Sequence, residues 1–210
     1  GLERRWFWQE QRAQSLVNAG LGVEAAQAFL EAAHTLERDE PDAPHGLYLR
    51  ARCAEFLIKG ARIQEALVRT REVLARLGLR LPGSPLSAGL QSAWLRLVLL
   101  LRGHRFTRRN AGELGDMQLA RMDALWRMSA SLAMVNHGLS DVLGVRHLLW
   151  ALEAGEPYRL AHALAKEASF EAILPLEFFR RRAQTLLSRA AVLWSDSTDP
   201  YDAALLEMTR

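Results

Sequence analysis

The chain has 210 residues, half of them hydrophobic and 24% charged; that is room for one sizeable domain or two small ones around a buried core, and it excludes wholesale disorder. Net charge is +3 and the pI about 9.5, only mildly basic. Arginine is scattered along segments that also carry Glu and Asp, not gathered in the single stripe of a nucleic-acid binder, so nucleic acid is not the expected partner.

Taken from the N-terminus, Arg4-Arg5-Trp6 already reads as helix, and "YDAALLEMTR" at 201–210 reads as a helix with no stop signal. With Gly1 at the start and no signal-peptide pattern, the expectation is a piece of a longer, cytoplasmic protein. Strand signals are missing between these ends: there are few β-branched alternations and no Asn-Gly or Asp-Gly hairpin turn. Ala, Leu, Arg, Glu and Gln dominate at an apolar period of three to four, so the chain is expected to be all-α.

Three stretches resemble one another: "LVNAGLGVEAAQAFLEAA" at 16–33, "LIKGARIQEALVRTREVL" at 57–74 and "LEAGEPYRLAHALAKEAS" at 152–169. Each runs from an apolar helix end to a glycine and then an alanine: Gly20 to Ala25, Gly60 to Ala66, Gly155 to Ala161. Phe29 and Ala32, Thr70 and Val73, and Ala165 and Ala168 follow four and seven residues on. The glycine is expected to end one helix by entering the left-handed conformation cheaply. The alanine then lets the returning helix approach closely. Such a hairpin cannot cover its own apolar face, so copies should stack as an α-solenoid.

Between the second and third copies, "LARLGLRLPGSPLSAG" ends a helix at Gly78 and restarts one with Ser84 as N-cap and Pro85 as first helical residue. Leu90, Trp94, Leu97 and Leu101 mark one face of that helix, and its opposite side is also largely apolar, so helices are expected on both sides. Arg96 and Gln91 interrupt this apolar run at 86–101, and it falls short of the ~20 residues of a membrane span. A polar loop covers 102–115. Asp116 and Asp141 read as N-caps, Pro175 as the start of another helix, and Asp199-Pro200 as the start of the last. The chain thus divides into hairpins over 1–77, an inserted helical pair over 78–140 and hairpins over 141–210, in one continuous domain.

The order glycine, Glu/Leu-Ala, bulky, small resembles the second half of a tetratricopeptide repeat, best at Gly20, Glu24, Ala25, Phe29 and Ala32. Ala25 to Ala66 is 41 residues, longer than the ~34 of a standard repeat, which implies a degenerate array with insertions, wound as a right-handed superhelix. On a wider scale, "VLARLGLRLPGSP", "LLLRGHRF", "LARMDALWRMSASLAMVN", "RHLLWALEAGEPYRLAHALAKEA" and "DPYDAALLEMTR" resemble the helical-repeat region of large bacterial serine/threonine protein kinases that also carry an AAA-like signalling ATPase module. The resemblance implies a kinase-type parent whose catalytic domains lie upstream of Gly1.

Within the chain itself, Lys59 and Lys166 are the only lysines, and neither follows a glycine-rich phosphate loop; neither His-Arg-Asp nor Asp-Phe-Gly occurs. His34, His45, His104, His137, His147 and His162 lack paired metal-ligand spacing, so no metal and no cofactor is expected. Cys53, the only cysteine, reads as a small core residue. Glu153 and Glu156 read as a solvated cap region, Glu171 as a surface residue, and Trp94, Trp126, Trp150 and Trp194 as core. Two basic clusters are candidate anion or partner contacts: Arg102, Arg105, Arg108 and Arg109 around Phe106, and Arg180, Arg181 and Arg182 on a helix. The expected function is that of a non-catalytic scaffold contacting a protein partner or the kinase and ATPase domains of its own chain. The alternative is an effector-sensing helical domain of an ATPase-type transcription regulator.

Overall fold

The protein's structure, a computed structural model, describes residues 5–194. Among the described residues it consists of nine α-helices with no strand: α1 (Arg5–Asn18), α2 (Gly22–Asp39), α3 (Pro44–Lys59), α4 (Ile63–Arg76), α5 (Pro85–Arg102), α6 (Asp116–Leu132), α7 (His137–Ala154), α8 (Pro157–Ala172) and α9 (Glu177–Leu193). Residues 1–4 and the helix expected from Asp199-Pro200 lie outside the described residues. The all-α expectation holds, and the helices pack mostly on neighbours in sequence, with α5 the exception. α1 lies on α2, α2 on α3, α3 on α4 and α6, α6 on α7, α7 on α8, and α8 on α9. α5 packs on α7 and does not form a hairpin with α6. One apolar core joins α1 to α4 with α6, and a second joins α5, α7, α8 and α9.

The three repeated stretches form helical hairpins: α1–α2, α3–α4 and α7–α8. The positions singled out by spacing are all buried, namely Ala25, Phe29 and Ala32; Ala66, Thr70 and Val73; and Ala161, Ala165 and Ala168. Phe29 stacks on Phe56 of α3 at 5.8 Å between ring centroids, and the Arg52 guanidinium lies 4.9 and 4.8 Å over the two rings. Glu37 of α2 is gripped by Arg50 of α3 at 2.6 Å and Arg76 of α4 at 2.8 Å, which ties three helices at one point.

One glycine works differently from the expectation. Gly20 and Gly155 are left-handed, at φ 76° and 72°. Gly60 is not; Ala61, at φ 58°, takes the left-handed place, and the Arg62 N–H closes the turn on the Leu57 carbonyl at 2.8 Å. Gly60 serves close packing instead: a Cβ there would come within 2.6 Å of Cγ2 of Val23 on α2.

Ala25→Leu, Ala66→Leu and Ala161→Leu are each expected to destabilise the protein by ~1–3 kcal/mol, because each adds volume to a filled contact. Glu171 is no surface control, since only 2% of its side chain is exposed. Arg180, at 71%, is one, and Arg180→Ala should stay within ~0.5 kcal/mol of the parent. Urea unfolding of the four variants checks this; three unmoved alanine midpoints would remove the packing role of the repeat positions.

Other expectations are corrected. Ser84 and Pro85 do open α5, with Ser87 completing a reciprocal cap. Asp116, however, is the first residue of α6 and not its cap, a place where its charge suits the helix dipole. α7 starts before Asp141: the Asn136 side chain accepts from the Leu139 N–H at 3.0 Å, so the helix runs through Asp141 and leaves that carboxylate for another task. α9 begins two residues after Pro175, at Glu177. Trp194 is buried and Trp126 and Trp150 are half-buried, but Trp94 stands in solvent, as do Leu90, Leu97 and Leu101. The buried side of α5 is the other one, Ala88, Leu95 and Leu99. Helices therefore cover only one side of α5 among the described residues.

Candidate interaction site: an arginine-rimmed groove

α5 ends at Arg102, whose guanidinium donates back to the carbonyls of Gly103 and Arg105 at 3.1 Å each and curls the following loop. The loop then crosses the α7–α8 turn, where the Arg109 N–H donates to the Gly155 carbonyl at 3.0 Å. This course opens a groove of about 1090 Å³ between the loop and α7, α8 and α9. Its floor is apolar, with Leu152, Leu160, Leu164 and Leu193, and Arg102, Arg105 and Arg189 stand at its rim with Phe106. His104 lies at one end, half-buried, its Nε2 buried without a hydrogen-bond partner. Burial first, then the charges of Arg182, Arg189 and Arg102, hold its pKa below the usual histidine range. That favours the neutral imidazole, and the rim's positive charge rests on the arginines.

The structure sorts the expected basic residues. Arg102 and Arg105 reach the groove. Arg108 and Arg109 lie on the exposed part of the loop that crosses the Gly155 turn. Arg180 and Arg181 point to solvent and pair with Glu177 on their own helix at 3.2 and 3.4 Å; exposed pairs of this kind contribute little. Arg182 turns inward to Glu171 at 2.8 Å. Arg189 went unnoticed in the sequence. The legible signal was its place seven residues after Arg182, on the same face of α9.

Beneath α5 sits a second polar cluster that the sequence did not bring together. Arg96 donates to Asp141 of α7 at 2.5 Å and to Glu167 of α8, and lies 4.3 Å over the Phe170 ring. Ser92 donates to the same Asp141. Lys166 donates to the Ser140 hydroxyl at 2.9 Å, and Ser140 and Ser129 exchange hydrogen bonds between α7 and α6 at 2.8 and 2.9 Å. Burial is the main reason the Glu167 pKa is raised and the Lys166 pKa lowered. Glu171 is pushed up to about 7, chiefly by burial and further by Glu167, against the pull of Arg182 and Arg96.

That shift has a sign. Between pH ~4.5 and 7 the folded chain holds a proton at Glu171 that the unfolded chain has released, so this group's contribution to stability falls as pH rises. Parent minus Glu171→Gln should lose on the order of 2 kcal/mol from pH 5 to pH 8. Urea unfolding of both proteins at the two pH values measures it, and a difference constant with pH would refute the shift.

Glu156 is not solvated: it is buried at the start of α8, where its carboxylate accepts from the N–H groups of Tyr158 and Arg159 at 3.0 and 2.9 Å, and Arg159 continues to Asp123 at 2.6 Å. Cys53 is buried, and burial pushes its thiol up to about 11, consistent with a core residue. His147 and His162 meet at Trp126, with ring centroids 5.8 and 5.0 Å from it, and burial holds His147 down to about 3. Among the described residues no three His, Cys, Asp or Glu side chains form a metal-sized group, and no helix is long and apolar enough to cross a membrane. No family model, no curated protein and no solved structure matches the chain.

Proposed function

We propose that the chain is a non-catalytic helical scaffold, a degenerate tetratricopeptide-like array that makes protein–protein or intramolecular contacts in a bacterial kinase/ATPase signalling protein. The observation that carries this reading is the outer face of α5. Leu86, Leu90, Trp94, Leu97, Leu100 and Leu101 are between 45% and 80% exposed, with Trp94 among them. Isolated exposed apolar residues need no explanation, but a contiguous helical face of them marks a contact surface. The buried repeat positions of the three hairpins fit the same reading, since hairpins stacked along a chain present extended surfaces to partners. A photo-reactive phenylalanine analogue placed at position 94, in the parent protein in its own cells, tests it. The expected result is a covalent product with a protein segment; irradiation that yields no protein adduct would overturn the reading.

The arginine-rimmed groove favours a second reading, a helical sensor that takes a small amphipathic anion, apolar end inward and charge at Arg102, Arg105 and Arg189. The two readings separate on the gene. A kinase domain encoded upstream favours the scaffold, and a DNA-binding domain encoded downstream favours the sensor.

A further inference from the structure

The arginine-rimmed groove carries cations on two sides, and no carboxylate lines it among the described residues. Arg102 and Arg105 stand at the end of α5 and its loop, and Arg189 stands across on α9. Between them lies the floor of Leu152, Leu160 and Leu164. At about 1090 Å³ the groove exceeds the ~300–1,000 Å³ usual for a small-ligand site. α9 forms one wall and ends at Leu193, which with Val192 belongs to the lining, so the chain leaves its last described helix at the groove itself.

The sequence that follows matches the groove in charge and in period. Residues 195–210, "SDSTDPYDAALLEMTR", carry Asp196, Asp199, Asp202 and Glu207 against the single base Arg210. The polar run from Ser195 to Asp199 spans up to ~17 Å when extended, enough to turn the chain back. Asp199 and Pro200 are the cap and first residue of a predicted helix. Tyr201, Ala204, Leu205 and Met208 then stand at i, i+3, i+4 and i+7, the spacing with which a helix lays one apolar face in a groove. At about 100° per residue, Asp202 and Glu207 fall about 110° to either side of the centre of that face. A helix seated on the leucine floor thus turns one carboxylate toward each arginine wall. The short tether also holds the segment at an effective concentration on the order of millimolar, an advantage that a free small anion lacks.

We propose that residues 195–210 are the occupant of the arginine-rimmed groove, with Tyr201, Ala204, Leu205 and Met208 on its leucine floor and Asp202 and Glu207 facing the arginines of its two walls. The groove is then an intramolecular contact for which any soluble anion must compete. The inference does not depend on the outer face of α5. It takes the groove of the sensor reading and assigns it a peptide of the same chain.

A photo-reactive phenylalanine analogue in place of Phe106, which lines the groove and is 37% exposed, tests it in the purified 210-residue chain. The expected product is a monomer with a bond from position 106 to the 195–210 segment, read by peptide mass. A bond only to another segment, a covalent dimer or no adduct overturns the proposal. Hydrogen exchange at the amides of 202–208 tests the charges. Arg105→Glu with Arg189→Glu should speed that exchange at least ~5-fold. Adding Asp202→Lys with Glu207→Lys should return it toward the parent rate, because walls and flanks have then traded signs. Both arginines are exposed, and unchanged helical circular dichroism verifies the fold of each variant. Exchange that ignores the reversal, or a reversal that the traded signs do not rescue, overturns the proposal. The crosslinker at position 94 reads a different face: a failed groove contact leaves the scaffold reading standing, and a missing adduct at 94 leaves the groove contact standing.

Discussion

Arg96→Met is expected to lower the free energy of unfolding by about 3 kcal/mol, toward the lower end of the ~3–5 kcal/mol seen when one side of a buried ion pair is removed. The reason is what remains. Asp141 and Glu167 keep only 9% and 4% of their side chains exposed, and each loses its guanidinium partner. The lower end applies because Arg96 itself is 28% exposed, so water can partly replace it. Arg96→Lys should fall between variant and parent, since an ammonium keeps the charge but cannot fork across two carboxylates on different helices. Replacing the charged set together, with Asp141→Asn and Glu167→Gln added to Arg96→Met, should recover much of the loss, because the uncompensated charges are gone. Urea unfolding of the series measures all three. A single-variant loss under ~1 kcal/mol would mean that the pair behaves as a screened surface contact.

Gly155→Ala carries the other large effect, and two glycines of the same chain calibrate it. Gly20, Gly78 and Gly155 all have positive φ, at 76°, 72° and 72°. An alanine at any of them adopts a left-handed backbone at a cost of roughly 1–2 kcal/mol. At Gly20 and Gly78 a new Cβ would meet nothing within 4 Å, so the cost ends there. At Gly155 the Cβ would stand 1.9 Å from the Thr107 carbonyl oxygen, which is backbone and cannot rotate away. The loop over the turn must lift and the Arg109-to-Gly155 hydrogen bond must break. Gly155→Ala is therefore expected to lose ~2 kcal/mol more than Gly20→Ala or Gly78→Ala. Hydrogen exchange at the Arg109 amide should accelerate in that variant alone. Equal losses at the three glycines would show that the loop does not bear on the turn.

Much of the fold was legible because its signals are local. The helical period, the Ser84-Pro85 start of α5 and the glycine turns depend on residues within one or two turns of each other, and the backbone answers to them directly. Even there, the turn at Gly60 was legible and its cause was not. A close approach to Val23 depends on a helix 37 residues earlier in the chain, and no local pattern encodes it. Asp141 failed for the same reason. It has the chemistry of a cap, but Asn136 is as good a cap and sits earlier, and Arg96 takes the carboxylate.

The groove was half legible. Arg102 and Arg105 were candidates from their clustering, and both reach it. Clustering in sequence could not separate them from Arg180 and Arg181, because residues adjacent on a helix point in different directions. It also passed over Arg189, whose companions at the rim come from the end of α5 and the loop after it.

By itself, then, the sequence determined that the chain is helical, that hairpins form at Gly20, Gly60 and Gly155, and that the alanines and their followers at Ala25, Ala66 and Ala161 face inward. Those are matters of backbone preference and amphipathic period, which act along the chain. Only the tertiary structure decided which of two apolar sides of α5 would be buried. Both sides satisfy the same period. The choice fell to Leu95 and Leu99 because Arg96, beside them, finds Asp141 and Glu167 on α7 and α8. A partly buried cation is held where carboxylates from other helices converge on it, and that convergence exists only after the chain has folded. It leaves Leu90, Trp94 and Leu97 facing outward.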